Sequence, residues 1–525
     1  MLDPEGGEET YIYDDQGFLT SQTDERGNTT SFVYGDDRNI FLVNLPDGST
    51  NALLYDDRGN VVEFVQSVGT EVERTLVRTF DNEDRVLSIE TLNEFGLSID
   101  GKMLYEYDPA GNVVKSIDET GLETVYTYNS VNELISEQTP GYGLTTYTYN
   151  VAGEMLTETD AEGHTSSSTY DIVGRLIQTV DKVGNVSIYE YTASDKPARV
   201  TDARGNQTLF EYDVLDRRIS RTNPLNQVIT LDYDTRDNLT TLIRENGAVE
   251  TATYDGLSRR ITVQTADNAL AYAYDPVGNV IRAADDDSEV VIAYDERDRI
   301  ASIATNGAVG PQPAITLTYT YDERNQRRTM ADSLGGLWGY QFDEKSRITS
   351  IETPWGDTHA MDYDFAGRPT ELTNLSGRQS VSGYDSDRLI SLEHFQGGTS
   401  ISRSGYAYAP DGAVNLYRDL DDSAASETLA YDGANRLLQV AEGIPTEDGG
   451  APIPTEDYAY DPLGNRTSSH LSDIYVVDDH NRLLEDTDFT YSYDVKGNRT
   501  ERTHKADGLI ETYSYNAMNQ LIEVS

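Results

Sequence analysis

The side chains best suited to acid–base or metal chemistry in this chain are six histidines and 92 aspartates and glutamates. A zinc or metalloprotease centre needs histidines at short, fixed spacings such as His-Glu-x-x-His. His164, His359, His394, His470, His480 and His504 are scattered without that spacing and read as ordinary surface or wall positions. A serine hydrolase would show a Gly-x-Ser-x-Gly elbow and a nucleotide-binding enzyme a Walker-type loop, and neither string occurs. The chain has no cysteine, which removes thiol nucleophiles, disulfides and cysteine-bound zinc or iron–sulfur sites and leaves the redox compartment open. Two carboxylates can cleave a glycosidic bond, but among 92 acids such pairs occur everywhere and single out none. Asp285-Asp286-Asp287 and Asp421-Asp422 lack the alternating order of a dedicated calcium loop, so calcium at acidic loops is the one cofactor left open. The expectation is no enzyme: no catalytic, cofactor-binding or metal residues.

What does recur is a tyrosine followed by aspartate. Tyr107, Tyr128, Tyr149, Tyr170, Tyr191, Tyr212, Tyr233 and Tyr254 are each 21 residues apart. The register extends through Tyr13, Tyr34, Tyr55 and Phe80 on one side. On the other it continues through Tyr274, Tyr294, Tyr321, Phe342, Tyr363, Tyr384, Tyr408, Tyr431, Tyr460, Val477, Tyr493 and Tyr515, giving 24 anchors. A period of this length marks a supersecondary unit that must stack on its neighbours, so function is expected from the array rather than from one pocket.

Within a unit, Tyr147 and Tyr149 share one strand face while Thr148 points away. Four residues after the anchor stands Gly, Asn or Asp in 20 of 24 units, among them Gly17, Gly59, Gly111, Gly153, Gly174, Gly278, Gly464 and Gly497. These residue types tolerate a left-handed backbone, as a tight turn requires. An apolar residue returns two positions later (Leu19, Val61, Val113, Leu176). A second turn follows about ten residues after the first, as at Asp24 and Gly27 or Asp181 and Gly184. Two turns per period predict two short antiparallel strands per unit, about 48 in all, with almost no helix. At roughly 4.8 Å per strand one sheet would run about 230 Å. Such a sheet is expected to coil into a spiral hollow shell or tube with turns along two rims.

The formal charge of −52 repels phosphate backbones, so nucleic acid is rejected as a partner. Hydrophobic content of 37%, with 36 Tyr, suits a sheet with two partly wet faces. No stretch is apolar enough to span a bilayer, and the acidic start, Met1 to Glu9, is unlike a secretory signal. Export by another route, or membership of a larger protein, is expected.

The repeated string Tyr-x-Tyr-Asp-x-x-Gly-Asn/Arg-Leu resembles the YD repeat of rearrangement hot spot (Rhs) proteins, which also occurs in insecticidal toxin-complex shells, wall-associated bacterial proteins and teneurins. Tyr55-Asp56-Asp57-Arg58-Gly59-Asn60, Tyr170-Asp171-Ile172-Val173-Gly174-Arg175, Tyr274-Asp275-Pro276-Val277-Gly278-Asn279 and Tyr460-Asp461-Pro462-Leu463-Gly464-Asn465 carry the match. The resemblance implies a β-sheet cocoon that in many relatives encloses a toxic C-terminal domain. Relatives close the shell with an Asp-Pro-x-Gly-Leu-type region that cleaves itself. No such motif follows Asn516-Ala517-Met518-Asn519, and Asp108-Pro109, Asp275-Pro276 and Asp461-Pro462 are mid-array turns to which that activity does not carry over. An open spiral or a piece of a shell is therefore expected.

The domain reading is one array over 1–525: regular over 1–384, irregular with loop insertions over 385–493, and an incomplete last repeat over 494–525. Gly443–Pro454 and Asn306–Pro313 read as Pro/Gly-rich loops that cannot be strand. Trp338 and Trp355 read as wall packing. Tyrosine rows read as a ladder of stacked rings, with carbohydrate binding as the alternative if the rings face solvent. The function expected is a non-enzymatic shell, secreted or at the cell surface of a bacterial type, whose partner is a polypeptide cargo or a neighbouring domain of a larger chain. The alternatives are an adhesion module for cell-surface glycans and a filament subunit self-associating through edge strands.

Overall fold

The computed structural model describes residues 7–70, 72–99, 101–266, 268–305, 313–374, 376–444, 452–515 and 520–525. It is all-β. Among the described residues forty-eight strands run from Thr10–Tyr13 to Leu521–Val524, and the helical content is one 3-10 turn, Ser423–Ala425. The chain divides into two compact units, one of Met1–Tyr126, Ala252–Gln264 and Asn268–Ser402, the other of Thr127–Thr251, Thr265–Asp267 and Arg403–Ser525. In each, successive strands pair antiparallel as a meander of hairpins, and in the second unit the ladder is interrupted between Arg466–Ser469 and Tyr475–Val477, after which the last six strands form a separate sheet.

The unit around Tyr170 shows why the sequence folds this way. Strand Thr165–Tyr170 pairs with Leu176–Val180, with Ser167 opposite Val180 and Tyr170 opposite Leu176. At the reversal the Asp171 N–H donates to the Arg175 carbonyl at 2.9 Å and the Gly174 N–H to the Asp171 carbonyl at 3.1 Å. This is a three-residue loop: a type I turn followed by a left-handed residue that forms a bulge. The Asp171 carboxylate holds it, its Oδ1 accepting the Val173 and Arg175 N–H groups at 3.0 Å each. Val180 then leads into a second turn of the same build, Asp181 to Asn185, and into strand Val186–Tyr191. One recurrent Asp thus does at both ends what the hairpin backbone cannot do alone, satisfying the donors that the loop leaves unpaired.

All eight glycines singled out from the sequence have positive φ, from 84° at Gly153 and Gly464 to 98° at Gly278. The geometry extends further than residue type suggested. Arg38, Ser258 and Ser346 take the same place with φ of 70°, 61° and 69°. After Tyr384 the reversal is tighter, with Ser386 left-handed and Asp385 paired to Arg388. Asn519 lies outside the described residues.

The insertions need one correction. Residues 306–312 and 445–451 lie outside the described residues, but Ile453 and Pro454 belong to strand Ile453–Tyr460 rather than to the loop. Proline is tolerated there because it stands at the start of the strand, beside an irregular pairing at Val440 and Ala441.

There is little conventional core. Along Val186–Tyr191 exposed and half-buried residues alternate strictly, and the buried apolar side chains are Ala52, Val72, Leu231, Val263, Val440 and Ala441. The chain exposes 29247 Å², whereas a compact protein of its mass would expose roughly 19,000 Å². The sheet is a wall one layer thick.

Because a Cβ at Gly59 would meet nothing within 4 Å, Gly59→Ala carries only the left-handed penalty, about 1 kcal/mol. Ser346→Gly removes that strain and shifts stability the other way by a few tenths of a kcal/mol or more, to at most ~1. Urea unfolding followed by tyrosine fluorescence checks both signs; a loss in both variants contradicts the turn assignment.

Candidate functional site: the turn rims

Chemistry-bearing side chains collect at the turns, and the anchors tie one hairpin to the next. The Tyr191 hydroxyl donates to the Leu176 carbonyl at 2.7 Å, Tyr212 to Pro197 at 2.9 Å, Tyr233 to Arg218 at 2.9 Å and Tyr107 to Val86 at 2.7 Å. The acceptor is each time the residue six beyond the preceding anchor. Burial raises the Tyr107 phenol above its ordinary pKa, so the donor keeps its proton. The anchors do not stack on one another as the sequence reading expected, and no ring pair among the described residues joins successive anchors. Consecutive anchors are two strands apart, about 9.6 Å, beyond the 4.5–7 Å of ring contact.

An arginine fills that gap. Five residues after an anchor, Arg217 donates through Nε to Asp213 Oδ2 at 2.8 Å and through Nη1 to the Asp234 carbonyl and Asp237 Oδ1, both at 2.9 Å. Its guanidinium lies over the Tyr233 ring, 5.0 Å from the centroid. One side chain therefore joins its own turn's aspartate, the next turn's backbone and the next anchor's ring. Arg85, Arg175, Arg259, Arg299, Arg347, Arg368, Arg436 and Arg482 stack on the next anchor in the same way. In other repeats Asn takes the place, as Asn238 does on Asp234 at 2.9 Å. The clamp aspartates Asp213, Asp432 and Asp478 are held below their ordinary value of 3.8. At Asp478 partial burial pushes upward, but the backbone N–H and the guanidinium of Arg482 outweigh it. This arginine was written in the repeat string as an alternative to Asn; its spacing to the next tyrosine was the signal that sequence reasoning missed.

Within each unit the turns also meet turns from distant sequence. In one unit Arg26, on a second turn, donates to the Asp295 carbonyl at 3.0 Å, pairs with the Asp298 carboxylate and stands 3.8 Å from Asp275 Oδ2. There too Arg297 pairs with Asp47 at 2.7 Å, and Asn93 donates to Glu344 at 3.0 Å. In the other, Arg204 donates to the Asp478 carbonyl at 3.0 Å and Asn481 Oδ1 at 3.2 Å, and lies 3.8 Å from Asp461 Oδ2. A Cβ at Gly433 would come within 3.0 Å of the Lys182 carbonyl and closer still to His164. The partners are some 250 to 277 residues apart, and in every case the second turns of an earlier layer of ribbon face first turns of a later one.

The remaining candidates do not converge. His394 bonds Ser380 at 2.8 Å, His504 bonds Asp507 at 2.7 Å, and His470 lies edge-on to Tyr458. No group of three metal-ligating residues forms among the described residues. The acidic run at Asp285 caps its own turn through the Asp287 and Ser288 N–H groups. Trp338 is half-buried, whereas Trp355 stands 76% exposed on a turn and is not wall packing. Among the described residues the exposed tyrosines are Tyr11 and Tyr13, so the anchors present no open row of rings.

Sequence comparison matches the teneurin YD-shell profile over residues 69–248 and 222–408, and the RHS repeat profile over residues 13–50. Double-stranded DNA deaminase toxin A of Burkholderia cenocepacia (strain H111) is 23% identical over 265 residues, covering 49% of this chain and 16% of that protein. Among solved structures, TcdB2-TccC3 superposes with a TM-score of 0.70 at 14% identity, covering 98% of this chain and 37% of that one. The Photorhabdus luminescens Tc holotoxin pore superposes with a TM-score of 0.68 at 12% identity, covering 99% and 38%. The chain thus spans little more than a third of the solved chains it resembles, and less of the toxin.

Lysine cannot reproduce the planar fork, so Arg436→Lys removes the ring contact and the second hydrogen bond at about 1–2 kcal/mol. Local exchange of the Asp461 turn amides, faster in the variant, checks it. Since Asp432 and Asp478 titrate below 3.8, their contribution is complete above that pH and is lost as pH falls through the depressed value. Acid titration followed by tyrosine fluorescence is therefore flat from pH 7 to about 5; loosening in that window contradicts the assignment.

Proposed function

This chain belongs to the teneurin YD-shell family, and from that membership we propose that it is a non-enzymatic wall that encloses or presents another polypeptide, a toxin domain being the class its relatives point to. The observation that carries the reading is the way neighbouring hairpins and neighbouring rims of the sheet are tied together. Successive hairpins are bonded through backbone and, in many repeats, through tyrosine and arginine, and within each unit the rim of one ribbon layer meets the rim of another. A wall of this kind excludes proteases and solvent. The acidic surface keeps so large an area soluble. The likeness to TcdB2-TccC3 and to a toxin pore, and the toxin from Burkholderia cenocepacia, support a secreted or cell-surface setting and a toxin-associated cargo. Glycan adhesion loses its main support because the tyrosine hydroxyls are spent on backbone carbonyls and the rings lie under arginines.

The natural polypeptide that carries this ribbon provides the test. Its non-ribbon segment should resist proteinase K in the native state and be cleaved once the wall is opened by denaturant. Equal cleavage of that segment in native and denatured samples sinks the enclosure reading.

A further inference from the structure

Arg26 and Arg204 hold identical places in their units. Each is the third residue of a second turn reading Asp-x-Arg-Gly-Asn, Asp24-Glu25-Arg26-Gly27-Asn28 and Asp202-Ala203-Arg204-Gly205-Asn206. Each reaches a first turn reading Tyr-Asp-Pro-x-Gly-Asn, Tyr274 to Asn279 and Tyr460 to Asn465. In these two receiving repeats the residue five after the anchor is Asn rather than Arg.

The acceptors make the exchange clear. A cis arginine such as Arg299 takes its own turn's Asp295 carboxylate at 2.7 Å, the next turn's Asp322 carbonyl at 3.0 Å and the Asn325 side chain at 2.9 Å. Arg204 approaches the equivalent three groups: the Asp461 carboxylate, the Asp478 carbonyl and the Asn481 side chain. Arg26 does the same with Asp275, Asp295 and Asp298. The shorter asparagines fill only the near part of the site. Asn465 donates to Asp461 and to Asn481 at 2.8 Å each, and Asn279 to Asp275 at 3.0 Å and Asp298 at 2.9 Å. The far acceptors, the Asp478 and Asp295 carbonyls, are left to the guanidiniums of Arg204 and Arg26 from the adjoining layer.

We propose that Asn279 and Asn465 are notches in the run of cis clamps, each built to receive an arginine from an Asp-x-Arg-Gly-Asn turn of another ribbon layer, and that this trans guanidinium sets the register in which the layers stack. The pairing is a lock with two written halves: an arginine on a second turn, and its absence five residues after an anchor. Hydrogen bonding alone would let rims slide by one hairpin, since all first turns share a backbone. The first turns on either side of Asn279 carry Arg259 and Arg299 and those beside Asn465 carry Arg436 and Arg482, so a guanidinium accepted only where the cis arginine is missing rules out a slip of one hairpin. The inference does not depend on what the wall encloses.

The test uses the absence of native cysteine. Ala203 and Leu463 line one cavity between these layers, so a short bis-maleimide should cross-link an A203C/L463C protein and report the register. Asn465→Arg in that background restores a cis guanidinium to the same acceptors and evicts Arg204, while Arg204→Ala removes the donor. Cross-linking is expected to fall about tenfold in both, the size of a lost charged hydrogen bond, while the amides of the Asp461 turn exchange as slowly as before or slower in the N465R protein. Those amides show that the hairpin itself still folds. The matching variants of the other unit, N279R and R26A, should leave the A203C/L463C yield unchanged. Cross-linking in N465R equal to that of its parent overturns the proposal, because the notch would then be an incidental gap and the added clamp a simple stabiliser.

Discussion

One guanidinium shared by two hairpins is the interaction on which this protein depends. A sheet of two-stranded units with a wet surface on both sides has no core to hold it flat, and hairpins joined only by ladder hydrogen bonds would twist independently. Where they occur, Arg217 and its equivalents fix one turn to the next at three points, and the anchor tyrosine returns a hydroxyl to the hairpin behind it. The coupling is directional, since Asp and Arg come from one repeat and the ring and carbonyl from its successor. A long ribbon can therefore keep one curvature through many copies, which a loosely jointed chain of hairpins could not.

This explains the composition. Aliphatic burial is replaced by half-buried tyrosine, whose ring supplies area and a face for the cation while its hydroxyl satisfies a carbonyl. Most first turns and many second turns spend an aspartate as the cap, so a large part of the negative charge is structural rather than a habitat signature. The arginines are few by comparison, and those that exist are concentrated where two turns meet. Removing a positive charge from this chain should therefore matter more than removing a negative one.

Much of this was legible in the residues. The 21-residue interval gave the number of strands, and the glycines gave the turns, because a left-handed backbone restricts residue type so strongly. Arg38, Ser258 and Ser346 were not legible, since the surrounding ladder and the capping aspartate impose the conformation on residues that do not favour it. Ring stacking was misjudged because the repeat spacing along the sequence does not show that anchors sit two strands apart. The approach of Arg26 to the Asn279 turn and its hydrogen bonds to the next were beyond single-sequence reading altogether: partners some 250 to 270 residues apart are brought together only by how the ribbon returns on itself. The insertions at 306–312 and 445–451 carried a loop signal, and the strands flanking the first of them pair directly across it.

The most direct test of the central claim is residue-resolved native-state amide exchange on the unmodified protein. Turn amides that follow an arginine clamp, Asp234 after Arg217 and Asp275 after Arg259, should be slower than equivalent amides that follow none, such as Asp171 after Glu154 and Asp213 after Lys196. Protection that tracks the clamps would establish the shared guanidinium as the element that stiffens the wall. Protection that is uniform along the ribbon, or that follows solvent exposure alone, would contradict the account and return stability to the backbone ladder.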